Sequence, residues 1–516
     1  MSWTLDEYIR RNGLRFPQKP GLVMGERVFT WAEVDDRVNR VANALLALGL
    51  GRNERVAIVL HNCIEYPELY YGIGRAGLIN VPCSYRLSVP ELAEILSAAE
   101  PSVLVVAANE VEKAVELRPL LPTLKHVWVL GGTAQGEGDT YEDLLSAASA
   151  EPVFSPNSEN DTFAIFFTSG TTGLPKGAMV SNLNLEANGF NQFVADGSLR
   201  EDVNLIASPL YHMGAVFVSV TYVMLGCTQV IIPRFDPEPW LETVERNKVS
   251  VALLIPTMIN TLINFPGLKD YDISSLRRVF YGGGPMPPAV LKRAIEALHC
   301  GFTQGYGLTE TLEVSFLVAS DHVTDGTELQ IKHMASAGRE AVGADVRIVD
   351  DDGKGLPTGV VGEIIIRSRS NISGYWGNPE ETAQAVRGDW FYTGDLGYLD
   401  DERYLYVVDR KKDMVVSGGV NIFTKEIESV LYTHPAVLEA AVIATPDDHW
   451  GEIVTACVVL REGRQAGAEE IIEYCSASLA GYKKPRKVYF LDELPKNPSG
   501  KILKRELRVS LAERPT

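Results

Sequence analysis

Apolar runs of strand length alternate with capped amphipathic helices through roughly the first 340 residues, and that alternation limits the chain to a narrow set of folds. Thr30-x-x-Glu33 is a capping box, in which the Thr side chain and the Glu carboxylate satisfy orphan amides reciprocally. Val34, Val38, Val41, Leu45 and Leu48 then share one helical face, and Gly49 supplies a stop. The run Arg55–Leu60 reads as a buried strand, Ser88-x-x-Glu91 opens a further helix, and Ser102–Val106 is the next strand. Strand and helix at this spacing predict a parallel sheet covered on both faces. The texture then changes to Asp-Gly turns and short strands such as Val346–Val349 and Glu363–Arg367. A charged segment, Asp409–Asp413, precedes a compact unit with helix signals at Lys425–Tyr432 and Ile471–Ser478. No internal repeat or low-complexity segment interrupts this order.

Charge narrows the partners. Against 67 Asp+Glu there are 48 Lys+Arg, a formal charge of −19, which argues against a nucleic-acid binder because phosphate surfaces attract Lys and Arg. From Asp409 onward the two signs balance, so the preceding part carries all of the excess; residues 481–508 are locally basic, with nine cations and three anions. Leu205–Pro233 contains no charged residue, a length that invites a membrane-span reading. Pro209, His212, Gly214 and Gly226 divide it, however, and a buried helix over Ala215–Leu225 followed by a strand at Gln229–Ile232 fits better. The six scattered cysteines lack zinc-ligand or disulfide-scaffold spacing and read as reduced core thiols. Residues 1–16 lack the apolar core of a signal peptide, and Arg514-Pro515-Thr516 matches no targeting signal, so the expectation is a cytoplasmic protein without a transmembrane segment. Peripheral membrane contact stays open, as does the choice between monomer and homodimer.

The chemistry concentrates in Thr168-Ser169-Gly170-Thr171-Thr172-Gly173-Leu174-Pro175-Lys176-Gly177, directly after the apolar strand Phe163–Phe167. Three glycines leave amides uncovered, four hydroxyls offer adaptable donors, and one lysine supplies a point charge. Those are the components of a polyphosphate cradle. The loop is not a Walker A sequence, since Pro175 stands where that pattern needs glycine. A flexible Gly/Ser/Thr surface turn is the plainer alternative, and the placement after a buried strand argues against it.

This loop resembles the signature of the adenylate-forming superfamily, and the resemblance extends through further motifs in order. Tyr281-Gly282-Gly283-Gly284-Pro285 resembles the adenine and substrate-pocket turn, and Gln304-Gly305-Tyr306-Gly307-Leu308-Thr309-Glu310 the nucleotide and metal segment. Tyr392-Thr393-Gly394-Asp395 is similar to the ribose-binding motif, Asp409–Asp413 to the hinge, and Pro498-Ser499-Gly500-Lys501 to the loop of the catalytic lysine. The resemblance implies an α/β protein: a large domain, 1–408, with parallel-rich sheets covered by helices plus a β-rich part; a hinge, 409–412; and a small mobile α+β C-terminal lid domain, 413–516. It implies an AMP-forming acyl-CoA synthetase, which joins a carboxylate to ATP and then passes the acyl group from acyl-AMP to CoA.

The roles it implies agree with the residue types. Thr168 to Gly173 and Lys176 would hold the leaving pyrophosphate, Lys176, Thr309 and His212 would join Lys501 as catalytic residues, and Glu310 would help to bind Mg²⁺. Gly283, Gly284, Pro285, Gln304, Gly305, Tyr306 and Gly307 would receive the nucleotide, and Asp395 with Arg410 its ribose. Lys501 would bridge the attacking carboxylate and the α-phosphate; losing one such preorganised donor costs about 10²–10³ in rate. Lys412 would be the pivot, and Ser417-Gly418-Gly419 would leave a channel for pantetheine. Val420 and Thr424 depart there from the family's usual Glu and Pro.

The acyl pocket is expected from Tyr211, His212, Met213 and Gly214, the Gly282–Gly284 turn and Gly305–Gly307, with Val216, Phe217 and Thr257 as weaker candidates. Apart from the titratable His212, these positions carry no formal charge, which suits an apolar monocarboxylate; His212 reads equally as a hydrogen-bonded core histidine. Tyr211-His212 replaces the Phe-Asp of amino-acid-activating relatives. The chain ends soon after Lys501 without a carrier domain, which favours free CoA as acceptor. Aliphatic and aryl acids (benzoate or cinnamate type) both stay open. So do two rival functions: an adenylating enzyme that loads a separate carrier protein, and a catalytically silent nucleotide-binding relative.

Overall fold

The computed structural model describes residues 3–132, 138–168, 175–284, 286–447, 449–496 and 502–512. The predicted helix starts form as read. Thr30 N–H donates to Glu33 Oε2 at 2.7 Å and Glu33 N–H to Thr30 Oγ1 at 3.3 Å, opening the helix Trp31–Ala47, and Ser88 N–H donates to Glu91 Oε2 at 2.8 Å before the helix Val89–Ala99. Val34, Val38, Val41 and Leu45 are buried on one face, and Gly49 has φ +70°, the conformation that ends a helix cheaply only in glycine.

Two large sheets carry the α/β part. The first runs Asp139–Thr140, His126–Leu130, Pro101–Ala107, Arg55–Val59, Ile79–Cys83, Thr162–Thr168, Lys176–Ser181 across its width; all neighbours are parallel except the last pair. The second is nine-stranded, with a parallel run (Gly301–Leu308, Arg278–Tyr281, Val251–Leu254, Val203–Ile206, Thr228–Ile231, Pro20–Met24) and antiparallel strands at both edges. One edge is the hairpin Pro20–Met24 and Arg27–Thr30, which pairs Leu22 with Gln229. The N-terminal hairpin therefore belongs to the second sheet, although the strands next to it in sequence build the first.

Helices Trp31–Ala47, Glu65–Arg75 and Met213–Leu225 pack between these sheets in a single core that includes Val56, Phe163, Leu253 and Phe280. That position explains the uncharged stretch. Met213–Leu225 is buried on nearly all sides, so it needs no polar face, and among the described residues no helix is long and apolar enough to cross a membrane. The β-rich part is an antiparallel sheet of Ala344–Val349, Gly362–Ser368, Val386–Arg387, Trp390–Leu399 and Leu405–Arg410. A last sheet, built from Val415–Ser417, Val420–Ile422, Val437–Asp447, Gly451–Leu460 and Lys487–Phe490, encloses a core of its own with the helices Thr424–Leu431 and Ala468–Ser478.

Candidate active site

Ser169, Gly170, Thr171, Thr172, Gly173, Pro285 and Lys501, together with 498–500, lie outside the described residues. The stem of the glycine-rich loop is described. Thr162–Thr168 and Lys176–Ser181 form an antiparallel pair, with Thr168 Oγ1 donating to Lys176 O at 3.4 Å. Lys176 Nζ pairs with Glu381 and stands 5.6 Å from the ring of Tyr375. The Tyr375 hydroxyl donates to Glu310 Oε1 at 3.0 Å, while Ile372 N–H donates to Glu310 O at 2.8 Å and Trp376 N–H to Gly177 O at 2.7 Å. Lys176 and Glu310, distant in sequence, are thus brought to one segment by residues 372–382. Burial and the nearby Glu310 raise the Tyr375 hydroxyl, keeping it a donor at neutral pH.

Sequence reasoning missed Tyr375 and Glu381. Asn378-Pro379 did signal a helix start: Asn378 Oδ1 accepts from Glu381 N–H at 3.1 Å, and Pro379 is the first helical residue. Nothing local says that this helix end faces Lys176.

Asp395 is 4% exposed and held from two sides. Tyr306 hydroxyl donates to its Oδ2 at 2.9 Å, and Arg410 Nε lies 3.2 Å from Oδ1, in ion-pair range but not aligned for a hydrogen bond. Arg410 is the cross-strand partner of Asp395, so register itself delivers the cation. Burial depresses the Lys425 ammonium, and the charges of Asp395, Asp409 and Glu428 oppose that depression; Lys425 is a second cation near Asp395 that the sequence motifs did not single out.

Tyr281 hydroxyl donates to Gln304 Oε1 at 3.2 Å and lies 3.0 Å from His322 Nε2, tying the glycine turn to the neighbouring strand. Gly283 takes φ +77°. Thr309 and Glu310 form the tip of the turn between Gly301–Leu308 and Leu312–Leu317. Gly307 is sterically obligatory, because a Cβ there would stand 1.6 Å from Leu312 O. Next to Gly282 and Gly305 lies a carboxyl, Glu313, which the sequence reading did not single out. A Cβ on Gly305 would stand 2.6 Å from Glu313 Oε2, so the glycine is what lets the carboxyl approach.

His212 precedes the helix Met213–Leu225, and its ring lies 4.7 Å from that of Tyr211. Burial, then Arg86, pushes its pKa down to about 4, so the ring is neutral at pH 7. Its Nε2 is enclosed and has no hydrogen-bond partner among the described residues. Gly214 stands 3.8 Å, at its ideal Cβ position, from Leu253.

After Arg410 the chain is tied in both directions. Lys411 pairs with Asp351 at 2.7 Å and Glu363 at 3.5 Å, whereas buried Asp409 accepts from Thr424 N–H and, at 2.9 Å, from Thr424 Oγ1. Lys412 lies between them; burial lowers its ammonium pKa, and Arg410 and Lys176 act the same way. Gly418 and Gly419, with φ +57° and +80°, form the two-residue turn of a hairpin in which Ser417 pairs with Val420. Glycine is required there for the turn itself, and Gly418 also abuts Trp450, 2.8 Å from its ideal Cβ.

Residues 9–376 match the AMP-binding enzyme family, and residues 426–501 match the AMP-binding enzyme C-terminal domain. A feruloyl-CoA synthase of an Amycolatopsis species is 36% identical over 493 residues, 95% of this chain and 96% of its own length. A long-chain-fatty-acid–CoA ligase of Mycobacterium tuberculosis is 35% identical over 481 residues, 93% of this chain and 92% of that one. Among solved structures, an anthranilate CoA ligase in complex with anthranoyl-AMP has a TM-score of 0.91 at 26% identity, covering 99% of this chain and 98% of that one.

Proposed function

This chain belongs to the AMP-binding enzyme family and is an AMP-forming acid–thiol ligase, and we propose that its residues divide two half-reactions on a hydrophobic monocarboxylic acid as follows. In the first, a carboxylate oxygen attacks the α-phosphorus of ATP, the bond to the bridging oxygen breaks, and pyrophosphate leaves. In the second, the CoA sulfur attacks the acyl carbonyl, AMP departs, and the thiol proton passes to solvent.

Lys176, with the loop from Thr168 to Gly173, holds the pyrophosphate. Mg²⁺, when bound, neutralises charge on the phosphates. Glu310 would hold it: Tyr375 occupies one of its oxygens, and a single carboxylate plus substrate phosphates and water is a donor set that Mg²⁺ accepts. Asp395 accepts from the ribose hydroxyls, with Tyr306 and Arg410 fixing its rotamer. His212, neutral, borders the carboxylate end of the acid, and Lys501 bridges the carboxylate and the α-phosphate. The small domain turns about Lys412 between the two steps, supported by the ties of Asp409 to the helix Thr424–Leu431 and of Lys411 to Asp351 and Glu363.

The observation that carries this assignment is the convergence of Lys176 and Glu310 on Tyr375 and Glu381, together with an Asp395 preorganised by Tyr306 and Arg410. The test is AMP release from a panel of acids (C2 to C18, benzoate, cinnamate, amino acids), with and without CoA. ATP–pyrophosphate exchange should require an acid, and Lys501→Ala should abolish adenylation while leaving ATP binding largely intact. Unchanged acyl-AMP formation by that variant refutes the assignment.

A further inference from the structure

The antiparallel pair that ends the nucleotide segment contains a one-residue irregularity. Tyr306 faces Ser315, but Gly307 faces Glu313 rather than Val314. That extra residue moves Glu313 onto the face that regular alternation would give to Val314, the face of Gly305 and Phe316. The Glu313 carboxyl then lies over the two pocket glycines, with Oε2 2.6 Å from the ideal Cβ of Gly305 and Oε1 3.9 Å from that of Gly282. Phe280 reaches the same point over Gly305 and stands 5.9 Å from Phe217 and 6.2 Å from Phe316, ring to ring, so the surroundings of the carboxyl are aromatic.

Glu313 is 8% exposed, and among the described residues its Oε2 has no hydrogen-bond partner. The Asn188 side chain accepts the Glu313 N–H at 2.9 Å through Oδ1, yet its own Nδ2, fully buried, is also without a partner among them. A carboxyl oxygen and an amide N–H left open beside the same strand are costly in an apolar core, and a bound group that satisfies them removes the cost.

We propose that Glu313 sets the specificity of the acyl pocket, and that the acid this enzyme takes carries a hydrogen-bond donor (hydroxyl, amine or ring N–H) on its tail. This rests on the ligase reading and narrows its substrate. The aromatic walls accept the apolar body of the tail, and the carboxyl accepts its donor. Burial pushes Glu313 up to about 8. Protonated or ionised, it keeps an accepting oxygen.

The experiment compares kcat/KM for AMP formation across matched acids: cinnamate, 4-methoxycinnamate and 4-hydroxycinnamate; benzoate and 2-aminobenzoate; octanoate and 8-hydroxyoctanoate. In the wild-type enzyme the donor-bearing member of at least one set should exceed its plain and methoxy partners by about 10- to 100-fold. Glu313→Gln, which keeps an accepting oxygen, should retain that order, and Glu313→Leu should level or reverse it. A merely structural role for Glu313 would lower all acids alike, leaving the ratio intact, and would overturn the proposal. Equal wild-type turnover of plain and donor-bearing acids overturns it without any variant. Adenylation of no acid at all sinks the ligase reading together with this one, whereas adenylation without donor preference sinks this one alone.

Discussion

The buried carboxyl of Glu313 should make the unliganded protein less stable as pH rises, and Glu313→Gln should remove that dependence. Burial is the cause of its rise from an ordinary 4.5 to about 8, and no neighbouring charge offsets it. An acid whose folded pKa lies above its unfolded value binds more protons when folded, so its contribution to stability is greatest below about pH 4.5 and is lost as pH climbs through about 8. Between about pH 5 and about pH 9 the loss comes to about 4 kcal/mol, from 1.36 kcal/mol per unit of pKa difference. For a cooperative unit of about 400 residues, with an unfolding entropy near 2.1 cal/mol/K per residue, that is roughly 5 °C in Tm. The assay is thermal unfolding of wild type and Glu313→Gln, without substrates, at one scan rate across this pH range. Glutamine has nearly the same shape and does not titrate, so the difference between the two melting curves should widen toward alkaline pH in favour of the variant. Parallel pH profiles would show that the carboxyl is hydrated or paired, and the reasoning about its burial would fail.

Other consequences are open to measurement. Asp395→Asn removes the charge that Arg410 faces and weakens what Tyr306 donates to, so ATP–pyrophosphate exchange should need about 10- to 100-fold more ATP for half-saturation while the fold persists. Gly307→Ala drives a Cβ into Leu312 O and should cost more than about 4 kcal/mol, read as loss of folded protein, whereas Gly284→Ala meets nothing within 4 Å and should stay within about 1 kcal/mol. His212, held down at about 4, should show an NMR titration midpoint there and leave the rate profile without a histidine inflection near 6.5; its lowered value means stability present above about pH 6.5 and lost as pH falls through about 4. Asp409→Ala deletes both bonds to Thr424 and should cost about 2–4 kcal/mol, visible as faster proteolysis between Arg410 and Thr424.

The sequence alone determined what depends on neighbours a few residues apart. The boxes at Thr30 and Ser88 cap their helices because both partners sit within one turn, and Phe163–Phe167 is a strand because it is an unbroken apolar run. The motif chemistry from Thr168 to Asp395 was legible for the same reason: each cluster of glycines, hydroxyls and charges is contiguous. Tertiary structure decided whatever pairs residues across the chain. No local signal sends Pro20–Met24 to Thr228–Ile231 instead of to the strands that follow it, since parallel pairing is chosen by which buried faces meet. Tyr375 and Glu381 reach Glu310 and Lys176 only through the packing of residues 372–382 against two separate loops. Glu313 reads in the sequence as one more polar residue after a turn; a single extra residue in the ladder puts its carboxyl over Gly305, because a shift of one in a period of two exchanges the faces. The reaction class was written in contiguous residues, and the surroundings of the acid in a register that only the folded sheet sets.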